Sequence, residues 1–128
     1  MIQKINFGEV WLANLNPQSG TEPGKSRPVL IIQNQILLDI GHPSTIIIPL
    51  TTKLIEGAEP LRIRIKAQGN LEKDSDLLID QIRSIDNKRL IKGPLACCDK
   101  IFMDAVQKAL IEVIGYQLDD QDSNTTTN

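Results

Sequence analysis

The sequence predicts a mainly β domain, a small and strongly bent barrel closed by one C-terminal helix. Three observations carry this reading. Short apolar runs, several alternating with period two, recur along most of the chain. Turn-forming groups such as Asn16-Pro17, Gly41-His42-Pro43, Gln68-Gly69-Asn70 and Gly93-Pro94 separate them. A single long stretch with helical periodicity comes last. The 128 residues suffice for one domain with its own core. That domain is assigned to residues 1–118, and 119–128, DDQDSNTTTN, to a disordered polar tail.

The elements follow in order. Residues 7–15, FGEVWLANL, form a strand with Phe7, Trp11, Ala13 and Leu15 on one face and Gly8, Val10, Leu12 and Asn14 on the other. A loop occupies 16–26. Residues 27–34, RPVLIIQN, form a second strand whose unbroken apolar centre implies burial on both faces. Gln35 to Asp39 makes a short helical turn. Residues 44–52, STIIIPLTT, form a third strand rich in β-branched residues, in which Pro49 marks a bulge or an edge. Lys53 to Pro60 is a loop. Beyond it Leu61, Ile63 and Ile65 point inward and Arg62, Arg64 and Lys66 outward, giving a half-exposed strand with a cationic face. Leu77 to Ile79 and Gln81 to Ile85 are short strands, or one strand with a kink. Arg89 to Ile91 follows a turn, and Gly93-Pro94 breaks the chain again. The helix runs from about Asp99, its N-cap, to Tyr116. Its apolar stripe is Phe102, Ala105, Val106, Ala109, Leu110, Val113 and Ile114; Asp104, Lys108 and Glu112 pair at four-residue spacing on the opposite side.

Composition narrows the function classes. The net charge is −2, so bulk electrostatics make no case for nucleic-acid binding. The distribution is less hostile: residues 1–70 carry seven Lys/Arg against five Asp/Glu, and residues 71–128 seven against eleven. A local basic surface on the first part is therefore compatible with the total. No apolar run approaches the roughly 20 residues of a bilayer span, and MIQKINFGEVW lacks the apolar centre of a signal peptide. A cytoplasmic location with no membrane partner is expected. Cys97 and Cys98 are neighbours, which disfavours a disulfide between them. With His42 as the one histidine they fall short of a zinc site, and they read as small, half-buried residues near a helix start.

The stretch with chemical content is Gly20 to Leu30, GTEPGKSRPVL. Gly20, Pro23 and Gly24 make a bent polar loop, and Lys25 and Arg27 place two cations at its exit. Pro28 then fixes the chain extended into an apolar strand. Arg27 thus lies at the seam between a loop and a sheet, a place suited to a group that must meet an anion at a fixed position.

Gly8-Glu9-Val10-Trp11, Gly20-Thr21-Glu22, Lys25 to Asn34, Pro49-Leu50-Thr51-Thr52, Asp80 to Asp86 and Arg89-Leu90 resemble, in order and spacing, the MazF/PemK family. These are toxin halves of bacterial type II toxin–antitoxin pairs. The resemblance implies an SH3-like barrel with a C-terminal helix, the PemK/CcdB-like fold, working as a homodimer. It implies cytoplasmic, growth-inhibiting, metal-independent and sequence-specific cleavage of single-stranded RNA, mRNA above all, with no cofactor. It also implies an antitoxin whose disordered acidic tail lies in the RNA groove, and DNA binding together with that antitoxin. The family's catalytic Arg and Thr fall on Arg27 and Thr51, and its RNA-closing loop on Gly20, Thr21 and Glu22. Lys25, Thr52, Lys53 and Gln81 are placed along the same RNA path. Where the family commonly has Ser-Glu-Gln this chain has Thr21-Glu22-Pro23; Thr keeps the hydroxyl, while Pro lacks both an amide side chain and a backbone donor.

The chemistry expected of Arg27 and Thr51 is simple. RNA carries its own nucleophile, the 2′-OH, so the protein must align it and stabilise the extra phosphorane charge. A guanidinium suits that charge, and a Thr hydroxyl adds one hydrogen bond at a restricted rotamer. The products would be a 2′,3′-cyclic phosphate and a 5′-OH. With one histidine, a two-histidine acid–base mechanism is excluded; Glu22 is the carboxylate in the loop that could accept a proton. Gln81 and Arg83 pair with strand neighbours or line the groove. Trp11 is core or dimer interface rather than a stacking platform. Arg62, Arg64 and Lys66 are first of all a soluble face, with RNA or antitoxin contact as the lesser reading. The competing functions are a gyrase poison of the CcdB branch and a non-catalytic MazF-like dimer. Arg27 and Thr51 argue against the first, and Pro23 keeps the second open.

Overall fold

A computed structural model describes residues 4–17, 20–22 and 24–115. Pro23, Tyr116 and the tail assigned to 119–128 lie outside the described residues. Among the described residues there are seven strands and two α-helices, besides two single 3-10 turns: β1 (Glu9–Asn14), β2 (Ser26–Ile31), α1 (Gln35–Asp39), β3 (Ser44–Thr51), β4 (Arg62–Ile65), β5 (Ser75–Leu78), β6 (Arg83–Asp86), β7 (Leu90–Cys97) and α2 (Lys100–Ile114). The sheet runs β4-β5-β3-β2-β1-β7, all antiparallel, with β6 pairing the first half of β3. The mainly β class with a terminal helix is the one expected. The sheet stays open at β4 and β7 rather than closing as a barrel. The Gln68–Leu71 turn spans that gap, with the Asn70 N–H donating to the Leu95 carbonyl at 2.7 Å. Gly69, at φ +55°, permits this approach, since a Cβ there would sit 2.8 Å from the Leu95 oxygen.

Two apolar clusters hold the sheet from its two faces. Leu30, Ile48, Leu50, Ile65, Leu77 and Ile79 pack with Met103, Val106 and Ala109 of α2. Trp11, Ala13, Leu15, Val29, Ile31, Ile47 and Ile85 form the other cluster. Successive residues of β2 go to opposite clusters, as its unbroken apolar centre predicts. In the first strand Phe7 packs with the α2 cluster, away from Trp11, Ala13 and Leu15. The reason is local: Gly8 turns at φ +89° and β1 begins only at Glu9, so the alternation does not extend back to Phe7.

Pro49 is neither on an edge nor in a bulge. The Ile32 N–H donates to the Ile46 carbonyl at 3.0 Å, which makes 32/46 a hydrogen-bonded pair. By alternation the Val29/Pro49 pair is non-bonded, so the Pro49 nitrogen faces away from β2. On that side β3 is changing partner, from β6 at Ser44–Ile47 to β5 at Leu50–Thr51, and no ladder donor is missed. The expected break at Gly93-Pro94 is also absent, because β7 runs through it. Register shifts against β1 between Val10 and Ala13 absorb the extra residues, on a strand that ends the sheet. Gly93 is required by space: a Cβ there would lie 2.4 Å from the Trp11 indole.

Leu61, expected inward, is 49% exposed just before β4 starts. In α2 the buried seam is Met103, Val106 and Ala109, flanked by Phe102, Leu110 and Val113. Ala105 and Ile114 of the expected stripe are exposed, because the contact with the sheet is narrower than the sequence stripe. Asp99 caps the helix by accepting the Phe102 N–H at 2.8 Å, and Gly115 ends it at φ +90°. Asp104 pairs with Lys100 at 2.9 Å, one turn before the expected Lys108. Both cysteines are free thiols; burial first, then Cys97 and Asp99, push the Cys98 thiol up to about 11, so it stays protonated at neutral pH.

Trp11 is 2% exposed and donates its indole N–H to Glu9 Oε1 at 3.0 Å, which makes it a core residue. Its contact with Gly93 predicts that Gly93→Ala costs about 1–3 kcal/mol through overpacking. Urea denaturation followed by far-UV circular dichroism checks this; an unchanged midpoint would show that the indole moves aside freely.

Candidate active site

The β2–β3 register builds the site. Ile31 faces Ile47 and Val29 faces Pro49, the last pair of that ladder; by the same alternation Arg27 and Thr51, two residues further on, fall on one face. The Arg27 Nε donates to the Gly24 carbonyl at 3.1 Å and Nη1 to the Leu50 carbonyl at 3.1 Å. Both acceptors are neutral, so the cation is oriented without being neutralised. Nη2 has no protein partner among the described residues. Partial burial lowers the Arg27 pKa from its ordinary value by desolvation, which leaves a charged but less hydrated guanidinium.

The loop before Arg27 is tied at its base. The Lys25 N–H donates to Asn16 Oδ1 at 2.6 Å, and its carbonyl accepts from the Leu15 N–H at 2.8 Å. Lys25 sits at φ +65°, a left-handed backbone uncommon for a residue with a Cβ. Arg89 adds a clamp by donating to the carbonyls of Asn14 and Asn16.

Thr51 ends β3. Its Oγ1 accepts the Lys53 N–H at 3.2 Å, which leaves the hydroxyl proton available to a ligand. Thr52 and Lys53 are exposed on the turn that follows. Across the sheet Thr51 faces Asp76 of β5. The Asp76 carboxylate is 1% exposed; it accepts Arg64 Nε at 2.6 Å, Arg62 Nη1 at 3.1 Å and the Ile55 N–H at 3.0 Å. Arg62 Nη1 also reaches the Lys53 carbonyl at 2.8 Å, and Arg64 Nη2 reaches Glu56 at 2.9 Å. The supposed cationic face of β4 is therefore largely an ion-pair network.

Beside Arg62 lies a cavity of about 290 Å³ lined by Thr21, Leu61, Arg62, Leu78, Asp80 and Gln81. Thr21 and Gln81, distant in sequence, both line it. Glu22 stands 3.9 Å from Arg83 of β6, a loose pair between half-exposed groups, and Gly20 is an exposed turn residue at φ +56°. His42 belongs to the turn before β3, at the end opposite Thr51. The length of β3 separates them by roughly 20 Å.

Sequence reasoning missed Asp76 and Asp80. Asp76 carried a signal, since an acid inside the apolar run Ser75-Asp76-Leu77-Leu78 needs partners, and Arg62 and Arg64 alternate on a strand able to supply them.

Residues 6–114 match the family of PemK-like, MazF-like toxins of type II toxin–antitoxin systems. The chain belongs to this family. It is 38% identical over 110 residues to endoribonuclease EndoA of Bacillus subtilis, covering 83% of this chain and 90% of that protein. The crystal structure of MazF from Deinococcus radiodurans superposes with a TM-score of 0.74 at 21% identity, covering 90% of this chain and 100% of that one. A chain of a MazE–MazF crystal structure from the same organism gives 0.69 at 17% identity, covering 91% of this chain and 100% of that one. At these identities the two structures show the shared fold. In this MazF-like chain, Arg27 is tied to Leu50, the residue before Thr51, just past the end of the β2–β3 ladder, and Thr21 and Gln81 line one cavity. The exposed Lys25, Thr52 and Lys53 border them on adjoining turns.

The Asp76 network has a pH signature. Burial by itself raises this carboxyl, but the hydrogen bonds from Arg64, Ile55 and Arg62 outweigh it and hold the group below its ordinary value. Its contribution to stability is then complete above the unfolded pKa of about 4 and is lost as pH falls through the lower folded value. Wild type should be more stable than Asp76→Asn at neutral pH, and the gap should narrow below about pH 4. Urea midpoints measured across that range test this; a gap constant with pH would contradict the depressed carboxyl.

Proposed function

We propose that this chain is the toxin of a type II toxin–antitoxin pair and an endoribonuclease that cleaves single-stranded RNA, mRNA included, without a metal. The observation that carries the proposal is Arg27, held by the carbonyls of Gly24 and of Leu50, the residue next to Thr51, with Nη2 unpartnered among the described residues. A guanidinium oriented by neutral acceptors keeps its full charge for an incoming phosphate. A purely binding role would leave that arrangement unused.

In the proposed reaction the ribose 2′-oxygen attacks the adjacent phosphorus in line and the 5′-oxygen departs. Arg27 binds the non-bridging oxygens, where charge accumulates, and the Thr51 hydroxyl donates one more hydrogen bond. The products are a 2′,3′-cyclic phosphate and a 5′-OH. Glu22, exposed in the loop, and Asp80, exposed at the cavity, are the carboxylates assigned to take the 2′-OH proton. Thr21 and Gln81 contact RNA at the cavity they line; Gly20, Lys25, Thr52 and Lys53 border its path. Base selectivity belongs to those loop and cavity contacts.

The active form is a homodimer in the cytoplasm. The antitoxin lays a disordered acidic tail along the same RNA groove and blocks it, and the pair together binds DNA. Among the described residues no helix is long and apolar enough to cross a membrane.

Incubation of the protein with a long single-stranded RNA in EDTA, beside Arg27→Ala and Thr51→Ala, tests the mechanism. Wild type should cleave and leave a 5′-OH, and Arg27→Ala should be slower by roughly 10²–10³-fold, the usual loss on removing an oxyanion donor. Equal cleavage by both would assign the chemistry to another group, and a 5′-phosphate product would exclude 2′-OH attack. Sedimentation at micromolar concentration should give twice the chain mass; a monomer there would count against a groove between two subunits.

A further inference from the structure

Thr51 belongs to the last pair of the β3–β5 ladder, and beyond it the chain leaves the sheet. Residues 52–57 are exposed, and no strand pairing holds them. What holds them is Asp76, the residue directly opposite Thr51. Its Oδ2 accepts the Ile55 N–H, and Arg62, fixed on the same oxygen, donates to the Lys53 carbonyl. Its Oδ1 fixes Arg64, which reaches Glu56. The Lys53 N–H in turn sits on Thr51 Oγ1. One buried carboxylate thus connects residues 53, 55 and 56 to the strand facing Thr51. Leu50, next to Thr51, supplies the carbonyl that orients Arg27.

We propose that Asp76 is a positioning residue for RNA cleavage: by clamping the turn after β3 it fixes the orientation of the Thr51 hydroxyl. This rests on the role given to Thr51 above. Arg62 and Arg64 belong to the same device. Their guanidinium groups compensate a carboxylate that is 1% exposed, and that carboxylate needs them in order to stay charged. Asn at position 76 keeps the size of Asp but turns one acceptor into a donor. Either Arg64 Nε, or the Ile55 N–H together with Arg62, then faces an N–H and loses its partner. In the first case the Arg64–Glu56 tie loosens, in the second the turn itself at Lys53 and Ile55; the second also frees the Lys53 amide that faces Thr51.

The test compares wild type, Asp76→Asn, Arg64→Gln, Thr51→Ala and the Thr51→Ala/Asp76→Asn double variant. Cleavage rates of a long single-stranded RNA over a range of concentrations are measured together with amide exchange. Asp76→Asn should lower the rate at saturating RNA by about 10–100-fold, the scale of a misplaced reacting group, and shift the half-saturating concentration by less than about threefold. Arg64→Gln should give a smaller loss of the same kind. In the Thr51→Ala background Asp76→Asn should add nothing, since a missing hydroxyl cannot be misoriented. The Ile55 amide should exchange faster in Asp76→Asn while the β2 amides keep their protection. An equal loss in both backgrounds, or an unchanged rate in Asp76→Asn, overturns the proposal. If Asp76→Asn does not fold, Arg64→Gln alone and combined with Thr51→Ala gives the same comparison. If the wild type cleaves nothing, the ribonuclease reading falls first. The clamp is then decided by exchange, and Ile55 protection unchanged in the variant overturns it.

Discussion

The antiparallel register of β2 on β3 is the constraint on which the site depends. Ile31/Ile47 and Val29/Pro49 are successive pairs on one face, with Ile31, Ile47 and Val29 fully buried in the cluster around Trp11. Two residues further along the same alternation, past the end of the ladder, come Arg27 and Thr51. A slip of one residue would turn Arg27 to the other face and pull Val29 and Ile31 out of their cluster, so apolar packing enforces the polar geometry. The row is dry behind the site and open at its end. A charged group there keeps access to a ligand while its backbone is held by a core that excludes water.

An acidic chain can offer an anion-binding site because its cations are not equivalent. Arg27 rests on neutral carbonyls and keeps its charge. Arg62 and Arg64 share Asp76, and Arg83 stands near Glu22 at a distance that leaves both largely solvated. Net charge averages over these cases. What an anion would meet is local, and among the described residues the Arg27 guanidinium has no counter-ion.

The sequence made legible what depends on short-range pattern. The strand expected at 27–34, which runs Ser26–Ile31, the helical turn at 35–39 and the cap at Asp99 are readable because apolar runs and capping chemistry act within a few residues. Arg27 and Thr51 were named from motif resemblance, and their neighbourhood follows from a register that the sequence does not display. Pro49 and Gly93-Pro94 misled for a shared reason. Each is a local breaker whose cost is removed by a non-local arrangement, a partner switch in one case and shifted pairing against β1 in the other. Asp76 was passed over because its partners lie twelve and fourteen residues earlier, on a strand whose alternation looked like an ordinary soluble face.

Trp11 is the one tryptophan of the chain, and it is enclosed by the cluster that underlies the Arg27–Thr51 row. Its indole N–H is already engaged by Glu9, and its ring lies against Gly93. The protein therefore carries an intrinsic fluorophore on the dry side of the site. Its emission reports whether the packing that sets the register is intact, and it stays silent about what occupies the loop at Gly20–Glu22. A spectroscopic change at Trp11 would signify that the sheet itself has rearranged, so the same probe separates loss of scaffold from loss of ligand.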